Sequence, residues 1–237
     1  KHVALNDIED LKAAIDDSTA AIMLEPLQGE GGVNLAQIDY LEAVRGLCDA
    51  RGILLIFDEI QTGIGRCGSM FGFEQAGVKP DIMTLAKGLG GGIPIGAMLA
   101  SKAVAPSLSA GSHGTTFGGN PMSCAAALTV LDVINQEDLL ANVQARSAQF
   151  KVGLQKLVEQ HNIFDEVRGH GLLLGLAANV AVMPIINACR ENGLLILAAG
   201  PNVLRFLPAL NITEAEVAEG LALLSTSIAQ SLEGLNS

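Results

Sequence analysis

Three short runs, IMLE (residues 22–25), ILLIFDE (53–59) and DIMTLAK (81–87), are apolar on both faces, and each ends in charged side chains. A strand that buries both faces belongs inside a parallel sheet with helices above and below it; a strand with one wet face alternates apolar and polar residues instead. Between the first two runs Ile38, Leu41, Val44 and Cys48 recur at helical spacing, so residues 22–57 read as a βαβ unit. Residues 97–100 continue the sheet. The GGIPIG stretch before them (91–96) is too short for a crossover helix and is expected to turn the chain antiparallel, with Pro94 where a missing N–H is tolerated.

The character changes at GSHGTTFGGNP, a glycine-rich polar segment that runs into a helix starting near Pro121, a residue suited to the first helical position. Helical spacing continues through Leu139, Val143, Phe150, Leu154 and Leu157, as one long helix or as two with a break near Asn135. Beyond lie strand-like IFDEVRGHGLLLGLAA, a helix over 182–192, the strand GLLILAA and the segment NVLRFLPAL. Thr213 and Glu216 then have the spacing of a capping box at the head of a final apolar stripe. The expectation is an α/β architecture with a mostly parallel sheet over 1–135 and a smaller α+β domain over 136–237.

Fourteen Lys and Arg against 25 Asp and Glu give a net charge of −11, which opposes nonspecific attraction to nucleic acid and to anionic membranes. No uncharged apolar run is long enough to span a bilayer. The four cysteines are widely spaced with no CxxC pairing, and His113 and His170 have no companions at metal-ligand spacing, so no metal site is expected. A reducing, cytoplasmic setting and small-molecule partners fit this composition, with no nucleic acid and no membrane.

Ligands of parallel sheets collect beyond the carboxyl ends of the strands. There the runs deliver one amine, Lys87, followed at once by GLGGG, and the acids Glu25, Asp58 and Glu59. A lysine held in a partly apolar site can lose its proton and join a carbonyl as an imine, which makes pyridoxal phosphate the natural partner. A carboxylate such as Asp58 would keep the cofactor's pyridine nitrogen protonated; alone, it could equally be an N-terminal helix acid.

EPLQGEGG, DEIQTGIGRCG, TLAKGLGGGIPIGA and HGTTFGGNP, in that order, resemble successive signatures of the class III, or omega, aminotransferases of the fold type I pyridoxal phosphate enzymes. GLLILAAGPNVLRFLPALNIT is similar to the acetylornithine and succinylornithine branch. The resemblance covers essentially the whole chain and implies a partial fold type I large domain followed by a small C-terminal domain. It makes Lys87 the Schiff-base lysine, Asp58 the partner of the pyridine nitrogen, Gln61 the partner of the ring hydroxyl, and Thr116 a phosphate ligand for the neighbouring subunit of a homodimer with shared active sites. In the same way Arg205 binds the α-carboxylate of 2-oxoglutarate or glutamate, and Glu30 pairs with that arginine when an omega-amino substrate is present. The implied reaction is ping-pong transfer of the δ-amino group of N2-acetylornithine to 2-oxoglutarate. Succinylornithine, ornithine or 4-aminobutyrate transamination, an aminomutase of the glutamate-1-semialdehyde type, and an inactive fragment remain as alternatives.

The resemblance also implies a preceding portion of the large domain carrying the phosphate cup, a ring-stacking aromatic residue and an arginine for the distal carboxylate. None of these is identifiable in this sequence, where Trp is absent and Tyr40 is the only Tyr. Arg168, in RGHG, reads as part of a structural turn, and Cys67 as packing near the site entrance.

Overall fold

The doubly apolar runs become the strands of one sheet. A computed structural model describes residues 1–235. In chain order the elements are α1 (Ile8–Ala14), β1 (Ala21–Leu24), β2 (Leu27–Gln28), β3 (Asn34–Leu35), α2 (Ile38–Arg51), β4 (Leu54–Asp58), β5 (Ile82–Leu85), β6 (Ala97–Ala100), α3 (Pro121–Gln136), α4 (Leu139–Gln160), β7 (Phe164–His170), β8 (Leu173–Ala178), α5 (Met183–Glu191), β9 (Leu197–Ala198), β10 (Val203–Phe206) and α6 (Glu214–Leu235). Short 3-10 turns occur at Gly72–Gln75, Lys87–Gly90 and Ala105–Ser107. Two compact units result, one of residues 1–26 and 36–137, the other of residues 27–35 and 138–237. The β2–β3 hairpin groups with the second unit although its neighbours in sequence lie in the first.

In the first unit the strand order is β1-β4-β5-β6. The β1–β4 and β4–β5 pairs are parallel, and β5–β6 is antiparallel, as the short GGIPIG connection requires. Val44 and Cys48 of α2 are fully buried together with Leu55 and Phe57 of β4, so the helical stripe packs on one face of that strand, whose other face, Leu54, Ile56 and Asp58, is half-buried. Gly52 ends α2 in the left-handed region at φ 66°, where glycine carries no Cβ penalty. Asn120 caps α3 by accepting from the Ser123 N–H, and Pro121 takes the first helical position.

The second unit has a wholly antiparallel sheet in the order β7-β8-β10-β9. β8 is buried along its length, and Phe150 of α4 meets Phe206 of β10 with ring centroids 6.2 Å apart. The long helical stretch is two helices, separated where Asp138 turns left-handed at φ 48°. GLLILAA narrows to a two-residue strand, because only Leu197 and Ala198 find partners, Arg205 and Leu204 of β10. The capping box is present: the Glu216 N–H donates to Thr213 Oγ1, and the Thr213 N–H donates to Glu216 Oε2. The Thr213 N–H, and next its hydroxyl, both donating to Oε2, hold the Glu216 carboxyl below the usual range. Among the described residues no helix is long and apolar enough to cross a membrane.

Candidate functional site

Asp58 closes β4 and lies opposite Thr84 of β5 in the parallel register. Thr84 Oγ1 donates to Asp58 Oδ1 at 3.2 Å, and the Ile60 N–H donates to the same oxygen at 3.0 Å. Both bonds fall on Oδ1, which leaves Oδ2 as an acceptor with no hydrogen bond among the described residues. Thr84 was not marked by the sequence reading; the signal for it is its cross-strand register with Asp58, which only pairing reveals.

Just past the end of β5, Lys87 adopts φ 42°. This left-handed conformation is rare for residues with side chains and costs about 1–3 kcal/mol where the surroundings enforce it. The enforcement comes from the glycine run: a Cβ on Gly90 would stand 2.9 Å from Ile95 Cγ2, and one on Gly91 2.9 Å from Val130 Cγ2 of α3. Only bare backbone fits there, so the turn that aims Lys87 is set by packing. The Lys87 side chain is exposed and makes no hydrogen bond among the described residues. Its flanking residues, Ala86 and Gly88, place no bulk over the amine.

Glu59, next to Asp58, points the other way and is 1% exposed. Its carboxylate accepts from Thr62 Oγ1 and from the N–H groups of Gly72 and Phe73, both at 2.7 Å. This knot folds residues 59–73 back on themselves. Burial raises the Glu59 pKa against the pull of these donors. The turn continues tightly: a Cβ on Gly63 would stand 2.8 Å from the Glu59 carbonyl oxygen. Gln61 sits half-buried in this turn segment, not on a regular helix. Burial, and next the charge of Glu59, push the Cys67 thiol up to about 12, so it stays protonated and unreactive. Thr116 lies in an exposed irregular segment and makes no hydrogen bond among the described residues. Asp58, Gln61 and Lys87 thus stand at or just past the adjoining ends of β4 and β5, and Thr116 lies in the exposed segment before α3.

In the second unit Arg205 Nη1 donates to Glu30 Oε1 at 2.7 Å, the arginine side chain being 6% exposed and the glutamate 71%. Arg205 Nε is buried with no hydrogen-bond partner. A cation this deep that leaves a donor unused is suited to a further anionic acceptor. An apolar cavity of about 210 Å³, lined by residues that include Leu195, Leu197, Leu207 and Leu221, opens beside it.

Residues 1–228 match the Aminotransferase class-III family, and the chain belongs to that family. It is 48% identical over 237 residues to the acetylornithine aminotransferase of Pseudomonas putida, covering 98% of this chain and 58% of that protein. Identity is 49% over 233 residues to the succinylornithine transaminase of Yersinia pseudotuberculosis, covering 97% of this chain and 56% of the relative. Among solved structures, the N-acetylornithine aminotransferase of Stenotrophomonas maltophilia superposes with a TM-score of 0.91 at 43% identity, over 99% of this chain and 63% of the other. The ornithine aminotransferase of Toxoplasma gondii gives a TM-score of 0.91 at 36% identity, over 96% and 56%. The chain therefore spans less than two thirds of the length of these relatives.

The family depends on pyridoxal phosphate. The residues here fit that group in their chemistry: from adjacent strand ends Asp58 presents a carboxylate oxygen and Lys87 an amine, each with no hydrogen bond among the described residues.

Proposed function

We propose that the whole protein transfers the δ-amino group of N2-acetylornithine to 2-oxoglutarate, with pyridoxal phosphate as cofactor. The observation that carries this reading is the placement of Asp58 and Lys87 at the ends of neighbouring strands, with Thr84 fixing one carboxylate oxygen and leaving the other open. Bound pyridoxal phosphate supplies an aldehyde that takes up an amine and a ring that withdraws electrons from the carbon bearing it. Asp58 Oδ2 is the acceptor for the protonated ring nitrogen, and Gln61 the partner of the ring hydroxyl. Lys87 Nζ anchors the cofactor and serves as the base that removes the proton from the amine-bearing carbon of the substrate. Its exposed, strained position leaves it without a competing partner.

Arg205 selects the substrate. Its planar guanidinium matches the α-carboxylate of 2-oxoglutarate bidentately, and Glu30 occupies it when the incoming substrate presents an omega-amine. The 2.7 Å ion pair supports this alternation, since Glu30 occupies one edge of the guanidinium that a bidentate carboxylate would compete for. Succinylornithine is the second reading, favoured by the 49% identity to a Yersinia succinylornithine transaminase.

A homodimer is part of the proposal. Met98, Leu99, Phe117, Met122 and Leu128 are exposed on the first unit, as is Thr116, and in this reading a second copy covers such apolar surface and takes Thr116 as a ligand for its phosphate. A cytoplasmic location is consistent with four free cysteines. The test is to offer the whole protein each of N2-acetylornithine, N2-succinylornithine, ornithine and 4-aminobutyrate with 2-oxoglutarate and to measure glutamate formed. Acetylornithine is expected to give the highest kcat/KM. Absence of glutamate with every donor would overturn the reading.

A further inference from the structure

The loop that carries Glu30 is held by contacts that an ordinary connection between strands does not need. Across the second sheet, Arg168 of β7, Gly175 of β8 and Arg205 of β10 stand in one register row. Directly opposed residues of antiparallel neighbours project on the same face, so the two arginines flank Gly175 at a separation of about 10 Å. Glycine leaves the middle of the row open. Val33 of the β2–β3 hairpin fills it: a Cβ on Gly175 would stand 2.9 Å from Val33 Cβ and 3.0 Å from Val203 Cγ1. Val33 is fully buried and adopts φ 54°, a conformation very rare for a β-branched residue, which persists only where the surroundings enforce it.

The outer arginines grip the hairpin on either side of that plug. Arg168 Nη1 donates to the Gly32 carbonyl at 3.1 Å and to Asn34 Oδ1 at 3.0 Å, while Arg168 Nε is anchored on Glu166 at 2.7 Å. Asn34 passes the hold along the loop by donating to the Gly31 carbonyl at 2.8 Å and to Gln28 Oε1 at 3.3 Å. Arg205 meets Glu30 at the other side. Here the backbone on either side of Glu30 is fixed first.

The geometry points to Arg168 as a positioning residue that sets how firmly Glu30 occupies Arg205, and hence how readily a substrate carboxylate takes its place. Gly175, by admitting Val33, is the second half of the same lock. The inference rests on the proposed role of Arg205 in carboxylate binding. It assigns to the RGHG segment a function that reading it as a structural turn does not contain.

The test is steady-state kinetics on the whole protein with pyridoxal phosphate bound, comparing KM for 2-oxoglutarate in wild type, R168Q, G175A, E30A, R205A and the double variant R168Q/E30A. R168Q removes the two bonds to the hairpin. G175A displaces Val33 without changing any charge. Both should lower KM for 2-oxoglutarate about three- to tenfold, the size expected for loss of one or two charge-assisted bonds competing with the ligand, and with little change in kcat. The double variant should match E30A alone, because without Glu30 there is nothing for Arg168 to position. An R168Q effect of equal size with and without Glu30 overturns the inference, as does an unchanged KM in a folded R168Q or G175A protein. R205A separates this from the reading beneath it: if it leaves KM for 2-oxoglutarate unchanged, the carboxylate role of Arg205 fails, whatever Arg168 does.

Discussion

Asp81 ties the outer helix to the strands that present the site, and its removal yields a stability change that can be worked from the contacts. It stands at the mouth of β5, at the opposite end from Lys87, and its Oδ2 accepts from the Leu55 N–H of β4 at 2.8 Å and from Arg45 Nη1 of α2 at 2.9 Å. Arg45 Nη2 is held in turn by Asp49 at 2.6 Å. Substituting Asp81→Ala orphans a strand N–H beside the fully buried Leu55 and strips a half-buried guanidinium of one partner, at a cost of about 2–4 kcal/mol. For a chain of this size each kcal/mol is about 2–4 °C in Tm. Asp81→Asn keeps an oxygen where both donors point and loses only the charge, about 1 kcal/mol for a pair this exposed. Burial alone would raise the Asp81 pKa, but the Leu55 N–H and Arg45 together bring it below 3.8. A depressed folded pKa contributes stability that is present above 3.8 and disappears as pH falls through the folded value. Thermal or urea melts of wild type, D81N and D81A should therefore rank in that order at neutral pH, with the wild-type advantage over D81N shrinking below pH 3.8. An alanine variant as stable as the asparagine variant, or an advantage that grows on acidification, would refute the reasoning.

Glu59→Gln turns an amide N–H₂ toward at least one of the N–H groups that the carboxylate now satisfies, so it should cost about 1–3 kcal/mol and loosen residues 59–73; hydrogen exchange at Gly72 and Phe73 would show this, and unchanged protection would count against the knot. Cys67, buried and with its thiol pushed up to about 12, should react with a thiol reagent only after unfolding, while rapid labelling of Cys67 in the native protein would contradict its placement. Gly169→Ala should destabilise the second unit by more than about 3 kcal/mol, because its Cβ would overlap the Leu173 carbonyl oxygen at 2.1 Å from a backbone at φ 102°; a melt within error of wild type would dispose of that claim.

What could be read from the residues was whatever depended on local pattern. The strands of the first sheet are apolar on both faces, and the parallel pairing of β1, β4 and β5 follows that pattern, although in this chain alternate residues stay half-buried or exposed; the six residues GGIPIG force the antiparallel reversal into β6. Thr213 and Glu216 form their box because both partners lie within one helical turn. The features that escaped are those made by distant segments. Nothing local to QGEGG says that the hairpin joins the second unit, since Val33, Gly175, Arg168 and Arg205 meet only once β7, β8 and β10 are in register. Glu59 looked like a second acid at a strand end, yet strand alternation turns it away from Asp58 into the fold. Lys87 was legible as an amine at a strand end; its left-handed backbone, and the packing of Ile95 and Val130 against the glycines that follow it, are not shown by the linear pattern.

The most direct test of the central claim is chemical. The purified protein is mixed with pyridoxal phosphate, reduced with borohydride so that the cofactor is fixed to whichever amine holds it, digested, and mapped by mass spectrometry. The label is expected on Lys87, stoichiometric and abolished in Lys87→Ala. A label spread over surface lysines such as Lys79 and Lys102, or one that survives the substitution, would contradict the account.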